Sequence, residues 1–230
     1  MNISIFNISM KEVEEVLKEF QLFQMRGIKN LNEDGVSDQF KKSTQEDNYW
    51  QIYRTGLENY DYDFLLTDQS YIQFECSQLE EEMIIRYAFF QNPLNFVSYE
   101  DFLSRFEITE EEAKEVDLRA EYEQFLNEQS LSNQYTVMRY DYDQKGYRPL
   151  IHAVSHLHIG FNNNVRIPLN KVISPLRFLL FVLKHVYLNK WIEMCKSDYI
   201  RLKLERCCSN NQMLDSIQWQ QVERLDMHLN

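Results

Sequence analysis

The 230 residues are 44% hydrophobic with a formal net charge of −12: enough apolar side chain for one sizeable core, and too acidic a surface to coat nucleic acid. Five glycines, and no Walker loop, dinucleotide fingerprint, GxSxG elbow or HExxH, remove NTPases, dehydrogenases, common serine hydrolases and zincins. Four cysteines without CxxC spacing specify neither a zinc ribbon nor a disulfide framework.

In chain order, the opening MNISIFNISMKEVEE lacks the basic start and small-residue cleavage site of a signal peptide, so a cytoplasmic protein is expected. Ser9 with Glu12 reads as a capping box. Val13, Val16, Leu17, Phe20 and Phe23 keep helical spacing, which predicts a helix over residues 10–25. Residues 27–48 are polar, contain Gly27 and Gly35, and read as a loop.

From Trp50 onward the pattern alternates: WQIYRTGL, YDYDFLLT and SYIQFECS, with turns at Glu58-Asn59 and Asp68-Gln69. This predicts an antiparallel meander, with a fourth strand over 83–90. Ser98 with Asp101 opens a short helix to about residue 106. Thr109 with Glu112 opens a longer acidic one to about 128, whose contacts would be Val116, Leu118, Tyr122 and Phe125.

Charge is unevenly spread. Residues 94–128 hold eleven acidic and three basic side chains, and residues 139–206 hold twelve basic and five acidic. The second region can attract a polyanion although the whole chain is acidic.

That basic region contains RYDYDQKGYRPLIHAVSHLHIGFNNNVRIP, residues 139–168. Read as a hairpin turning at Gln144-Lys145-Gly146, it places Arg139, Asp141 and Asp143 on one face, because side chains alternate along a strand. His152, Val154, His156 and His158 would share one face of the second strand, and Ala153, Ser155, Leu157 and Ile159 the apolar one. Next, Ser174 as N-cap and Pro175 as first helical residue open a helix to about residue 196. Its apolar start, LRFLLFVL, marks the central packing helix. Arg177 and Lys184 interrupt the apolar run, which is shorter than the ~20 residues of a bilayer span, so no membrane segment is expected. The last thirty residues are ambiguous between strand and helix.

Three chemistries fit the histidine stretch. His156 and His158 in a His-x-His, with Asp141 or Asp143 alongside, could chelate a metal. Without a metal or any cofactor, two histidines could act as general base and acid on a phosphodiester, while Arg139, Arg148 or Arg166 holds the phosphate and Asp141 orients a ring. The same groups could instead be a satisfied polar network that fixes strand register.

The run RYDYD…YRPLIHAVSHLHIG…VRIP…SPLRFLLFVLKHVYLNKW resembles a bacterial family of unknown function with an Arg-Tyr-Asp strand, a Ser-His-x-His-x-Gly strand and a following Arg, over residues 139–191. More distantly, Arg139-Tyr140-Asp141 followed by His152, His156 and His158 is similar to the TumE-like toxins of toxin–antitoxin systems. The chain is larger than those toxins, spaces its histidines differently and adds an N-terminal meander and acidic helix. The similarity implies an RNA-directed inhibitor of translation with an antitoxin partner, and a site at Arg139, Asp141, His152, His156 and His158.

The expectation is a single α+β domain, with an antiparallel sheet made of the meander and central hairpin and packed on the long buried helix. N-terminal and acidic helices would flank it. Its parts are 1–130 (meander and acidic helices), 131–200 (active-site hairpin and core helix) and 201–230 (a C-terminal appendage). The expected function is a toxin or phage-defence effector that cleaves RNA without metal. The alternatives are a non-catalytic subunit of a bacterial defence complex, bound to a partner protein, and a metal-dependent hydrolase.

Overall fold

The structure is a computed structural model that describes residues 3–29, 35–46, 48–79, 82–94, 99–106, 108–109, 117–128, 135–161, 165–210 and 212–225. The chain forms two compact units, one built from residues 1–91 and 136–230, the other from 92–135.

The larger unit is α+β around a seven-stranded antiparallel sheet: β1 (Phe23–Arg26), β2 (Phe64–Leu66), β3 (Tyr71–Leu79), β4 (Glu82–Phe90), β5 (Val137–Asp143), β6 (Ser155–Ile159) and β7 (Val165–Pro168). Spatial order follows chain order. Alternation gives the sheet two unlike faces. Phe74, Tyr87, Tyr140, Leu157 and Ile167 stand opposite one another on β3 to β7 and form the apolar row. Against it packs α6 (Pro175–Val186), whose Phe178 ring lies 5.7 Å from Tyr87 and 6.2 Å from Phe74. As the sequence predicts, Ser174 caps this helix by accepting from the Arg177 amide at 3.3 Å. The helix stops at Val186, short of the expected 196, and a second one, α7 (Leu188–Met194), follows. The break is at Tyr187, whose hydroxyl donates to Asp68 in the β2–β3 turn at 2.8 Å.

Three further expectations are corrected. The first helix, α1, is Ile3–Glu19, so Ser9 lies in its interior and opens no capping box. Its hydroxyl accepts from the Leu176 amide at 2.9 Å, satisfying an orphan donor in the first turn of α6. Phe23 belongs to a strand. Within the expected loop, Ser37 caps α2 (Asp38–Ser43).

WQIYRTGL is no strand; it lies in α3 (Tyr49–Glu58), capped by Asn48. The buried residues are Tyr49, Ile52, Tyr53 and Gly56, the i, i+3, i+4, i+7 spacing of a helix face. The meander therefore has one strand fewer from that segment and gains β1 instead. Beyond α7, residues read as ambiguous form α8 (Tyr199–Asn210), β9 (Gln212–Met213), which pairs with β8 (Lys171–Val172), and a 3-10 turn at Gln221–Leu225.

The smaller unit contains α4 (Tyr99–Arg105) and α5 (Arg119–Glu128). Phe102 packs on Tyr122 and Phe125 at 5.3 Å each, and Leu118 joins them as expected. Ser98, Glu80, Glu81, Val116 and the predicted helix start at 110–112 lie outside the described residues.

Candidate anion-binding cleft

The second face of the sheet is polar, and the strand register explains why. One cross-strand row reads Glu75, Arg86, Asp141, His156; the next reads Gln73, Ala88, Arg139, His158, Arg166. Beyond these rows the face is closed by aromatic packing. Phe40 of α2 meets Phe90 at 5.8 Å, and Tyr53 of α3 stacks on Tyr71 at 5.6 Å. What stays open is a cleft of about 450 Å³ floored by the two rows and edged by Lys29 and Lys41. Among the described residues lining it are five cations (Lys29, Lys41, Arg86, Arg139, Arg166) and three carboxylates (Glu75, Asp141, Asp143).

The three predicted histidines meet here, by a different route from a single strand face. His156 and His158 alternate with Leu157 on β6 and share the cleft face. His152 lies in the β5–β6 connection, where its backbone pairs with Arg148. The Asp143 carboxylate starts that connection by accepting from the Lys145 amide at 2.9 Å. The turn at 144–146 thus forms, but it does not lead straight into the second strand. Val154 is fully buried in the apolar core, so it does not share the histidine face. The rings still form a ladder: His152 to His156 and His156 to His158 are each 4.7 Å between centroids, with edge-to-face tilts of 72° and 70°.

Hydrogen bonds set each ring's role. Nδ1 of His156 lies 2.8 Å from the Ala153 carbonyl oxygen and donates to it, which leaves Nε2 as a lone-pair acceptor. Burial, with the neighbouring His158 second, holds the His156 pKa down at about 4, so this imidazole is neutral near pH 7. Nε2 of His158 lies 3.2 Å from Oδ2 of Asp141. Asp141 is also 3.8 Å from the Arg139 guanidinium. Burial alone would raise the Asp141 pKa, but the His158 hydrogen bond and the Arg139 charge outweigh it and hold the carboxyl below its usual range.

Three buried nitrogens on cleft side chains, Nε of Arg139, Nδ1 of His152 and Nδ1 of His158, have no hydrogen-bond partner among the described residues. Buried polar nitrogens without a partner are uncommon and costly.

Of the predicted phosphate-holding residues, Arg139 and Arg166 line the cleft on either side of His158, on β5 and β7. Arg148 lies outside the cleft lining; its amide donates to the His152 carbonyl at 2.9 Å. Sequence reasoning missed Gln73, Glu75, Arg86 and Lys29. The first two were signalled by the alternation in SYIQFECS, which puts Tyr71, Gln73 and Glu75 on one face. Lys29 carried no local signal; it is placed by tertiary bonds to Asp63 at 3.3 Å and to the Phe74 carbonyl at 2.5 Å.

Asp141, His156 and His158 offer ligand atoms within 4.8 Å of one another, so the cleft also contains the outline of a two-histidine, one-carboxylate cation site. No described helix is long and apolar enough to cross a membrane.

An α+β fold with a histidine ladder in a mostly cationic cleft on the free face of its sheet defines the class. The chain belongs to the uncharacterized conserved protein family DUF2290, whose profile matches residues 18–229. No curated protein and no solved structure matches it.

Proposed function

We propose that the cleft binds and cleaves RNA phosphodiesters and that the protein acts as a bacterial toxin or phage-defence effector held in check by a partner protein. One observation carries this reading: Arg139, His152 and His158 each keep a buried nitrogen without a partner among the described residues, and their side chains line a cleft in which Arg86 and Arg166 form no ion pair with a described residue. A phosphodiester offers the acceptor oxygen that the Arg139 Nε–H lacks.

In this mechanism the neutral His156 accepts the proton of a ribose 2′-hydroxyl at Nε2 while that oxygen attacks phosphorus. The bond from phosphorus to the 5′-oxygen breaks, and His158, held by Asp141, supplies the proton to that leaving oxygen. Arg139 and Arg166 neutralise the non-bridging oxygens. The similarity of Arg139-Tyr140-Asp141 and the histidine cluster to TumE-like toxins supports RNA as the substrate class.

The three convergent ligand atoms favour a second reading, a metal-assisted hydrolase. It ranks lower because Asp141, the single carboxylate of the three, already lies 3.8 Å from the Arg139 guanidinium, whose charge would oppose a divalent cation there.

The test is to express the protein beside a His156→Ala, His158→Ala double variant and score growth and RNA integrity. Loss of toxicity and of RNA cleavage in a variant with an unchanged circular dichroism spectrum is the expected result. A folded variant that keeps both sinks the proposal, as does wild-type protein that leaves RNA intact. Elemental analysis of the purified protein separates the metal reading.

A further inference from the structure

A second concavity, of about 490 Å³, lies on the opposite side of β6 from the cleft, between that strand, α6, α7 and α8. Leu157, Leu180 and Trp191 are among its walls, exposed by only 2%, 1% and 8%. Partly exposed Phe181 and Leu204 add to its apolar lining. Lys171, Arg177, Lys184 and His185 also line it, and Lys171, Arg177 and Lys184 are its three permanent cations. None of the three forms an ion pair with a described residue. In a chain of net charge −12, three uncompensated cations around one apolar recess are a local field that favours an anion. Volume and composition match a small-molecule site: mostly apolar walls with a few fixed polar groups.

The geometry points to a binding site for an anionic amphiphile, an acyl chain ending in a carboxylate. The chain lies against Phe181, Leu204 and the edge of Trp191, and the carboxylate meets Lys171, Arg177 and Lys184. Lysine and arginine stems extend the apolar surface while their heads remain at the mouth. This site is independent of the RNA reading, since it uses none of the cleft side chains.

The test is calorimetric titration of the full chain with decanoate below its micelle threshold, and with decyltrimethylammonium as a cation of matched chain length. Decanoate binds saturably at one site, and the cation binds at least about tenfold more weakly, the size expected for charge-assisted bonds. Arg177→Glu combined with Lys184→Glu weakens decanoate by about tenfold without changing the circular dichroism spectrum; Lys171→Met gives a smaller loss in the same direction. Absence of saturable binding, equal binding of the two amphiphiles, or full affinity in the charge-reversed protein overturns the assignment.

Discussion

His158 and Asp141 are bonded diagonally across β5 and β6: Nε2 lies 3.2 Å from Oδ2, although the strand register puts Asp141 opposite His156 and Arg139 opposite His158. Diagonal neighbours in a sheet are within reach of long side chains. The diagonal commits one nitrogen of His158 to a carboxylate, while no described residue bonds Nε2 of His156. Two histidines on one strand face therefore have unequal roles. Asp141→Asn keeps the shape and loses the charge, so RNA cleavage should fall by about 10- to 100-fold, the usual cost of losing a group that orients a functional ring. Cleavage at wild-type rate by a folded D141N protein would count against that role.

The buried His156 predicts a pH dependence of stability. In the unfolded chain its imidazole takes up a proton near the ordinary value of 6.5, whereas the folded protein resists until about pH 4. Between those values the unfolded state binds more protons, so stability drops as pH falls from 6.5 toward 4, by about 3 kcal/mol at most from this group. Asp141, with its pKa lowered, adds loss in the same direction at the acid end. Urea unfolding at a series of pH values should show the decline, and His156→Gln should flatten it. An equal slope in both proteins would contradict the assignment.

Tyr140 ties the hairpin to the segment that leads into α6. Its hydroxyl lies 3.0 Å from Oγ of Ser155 and accepts from the Ile173 amide at 3.3 Å, and Ser155 donates to the Lys171 carbonyl at 2.7 Å. Tyr140→Phe leaves that buried amide without its acceptor and should destabilise by about 1–3 kcal/mol. A shift of the urea midpoint at constant slope is the measurement, and an unmoved midpoint would show the bond to be dispensable.

Gly27 follows β1 where the chain passes Tyr62. A Cβ there would lie 1.9 Å from the Tyr62 carbonyl oxygen, and that oxygen is backbone with no rotamer to yield. Gly27→Ala should cost about 1–3 kcal/mol through forced displacement of β1 against β2. Gly35→Ala, where the added atom meets nothing within 4 Å but the backbone has φ of +71°, serves as a comparison that separates conformational strain from collision.

If the cleft binds RNA as proposed, substituting Arg139 and Arg166 one at a time by Gln should weaken that binding by about tenfold each and reduce its salt dependence, since each would remove a charged phosphate contact. Arg148→Gln, outside the cleft lining, should change neither. Filter binding across a salt series reads both quantities, and an Arg148 effect as large as that of Arg139 would relocate the anion site.

Where the chain's own chemistry acts over a few residues, the sequence was sufficient. Alternation in RYDYD and SHLHI set which side chains share a face, and Ser174-Pro175 fixed the start of the central helix. Those rules also separated apolar Leu157 from its histidine neighbours. They failed where two periods fit one short segment, as in WQIYRTGL, and where Ser9 serves a helix 167 positions away.

The sequence by itself determined an α+β chain, a strand with histidines on one side and leucine on the other, and a basic stretch around them. Only the tertiary structure decided that Arg86, Glu75 and Lys29 join that stretch, that His152 reaches the ladder from a connection, and that Arg148 does not line the cleft. Cross-strand register and long-range packing bring such groups together, and both are set by partners distant along the chain that no local pattern encodes.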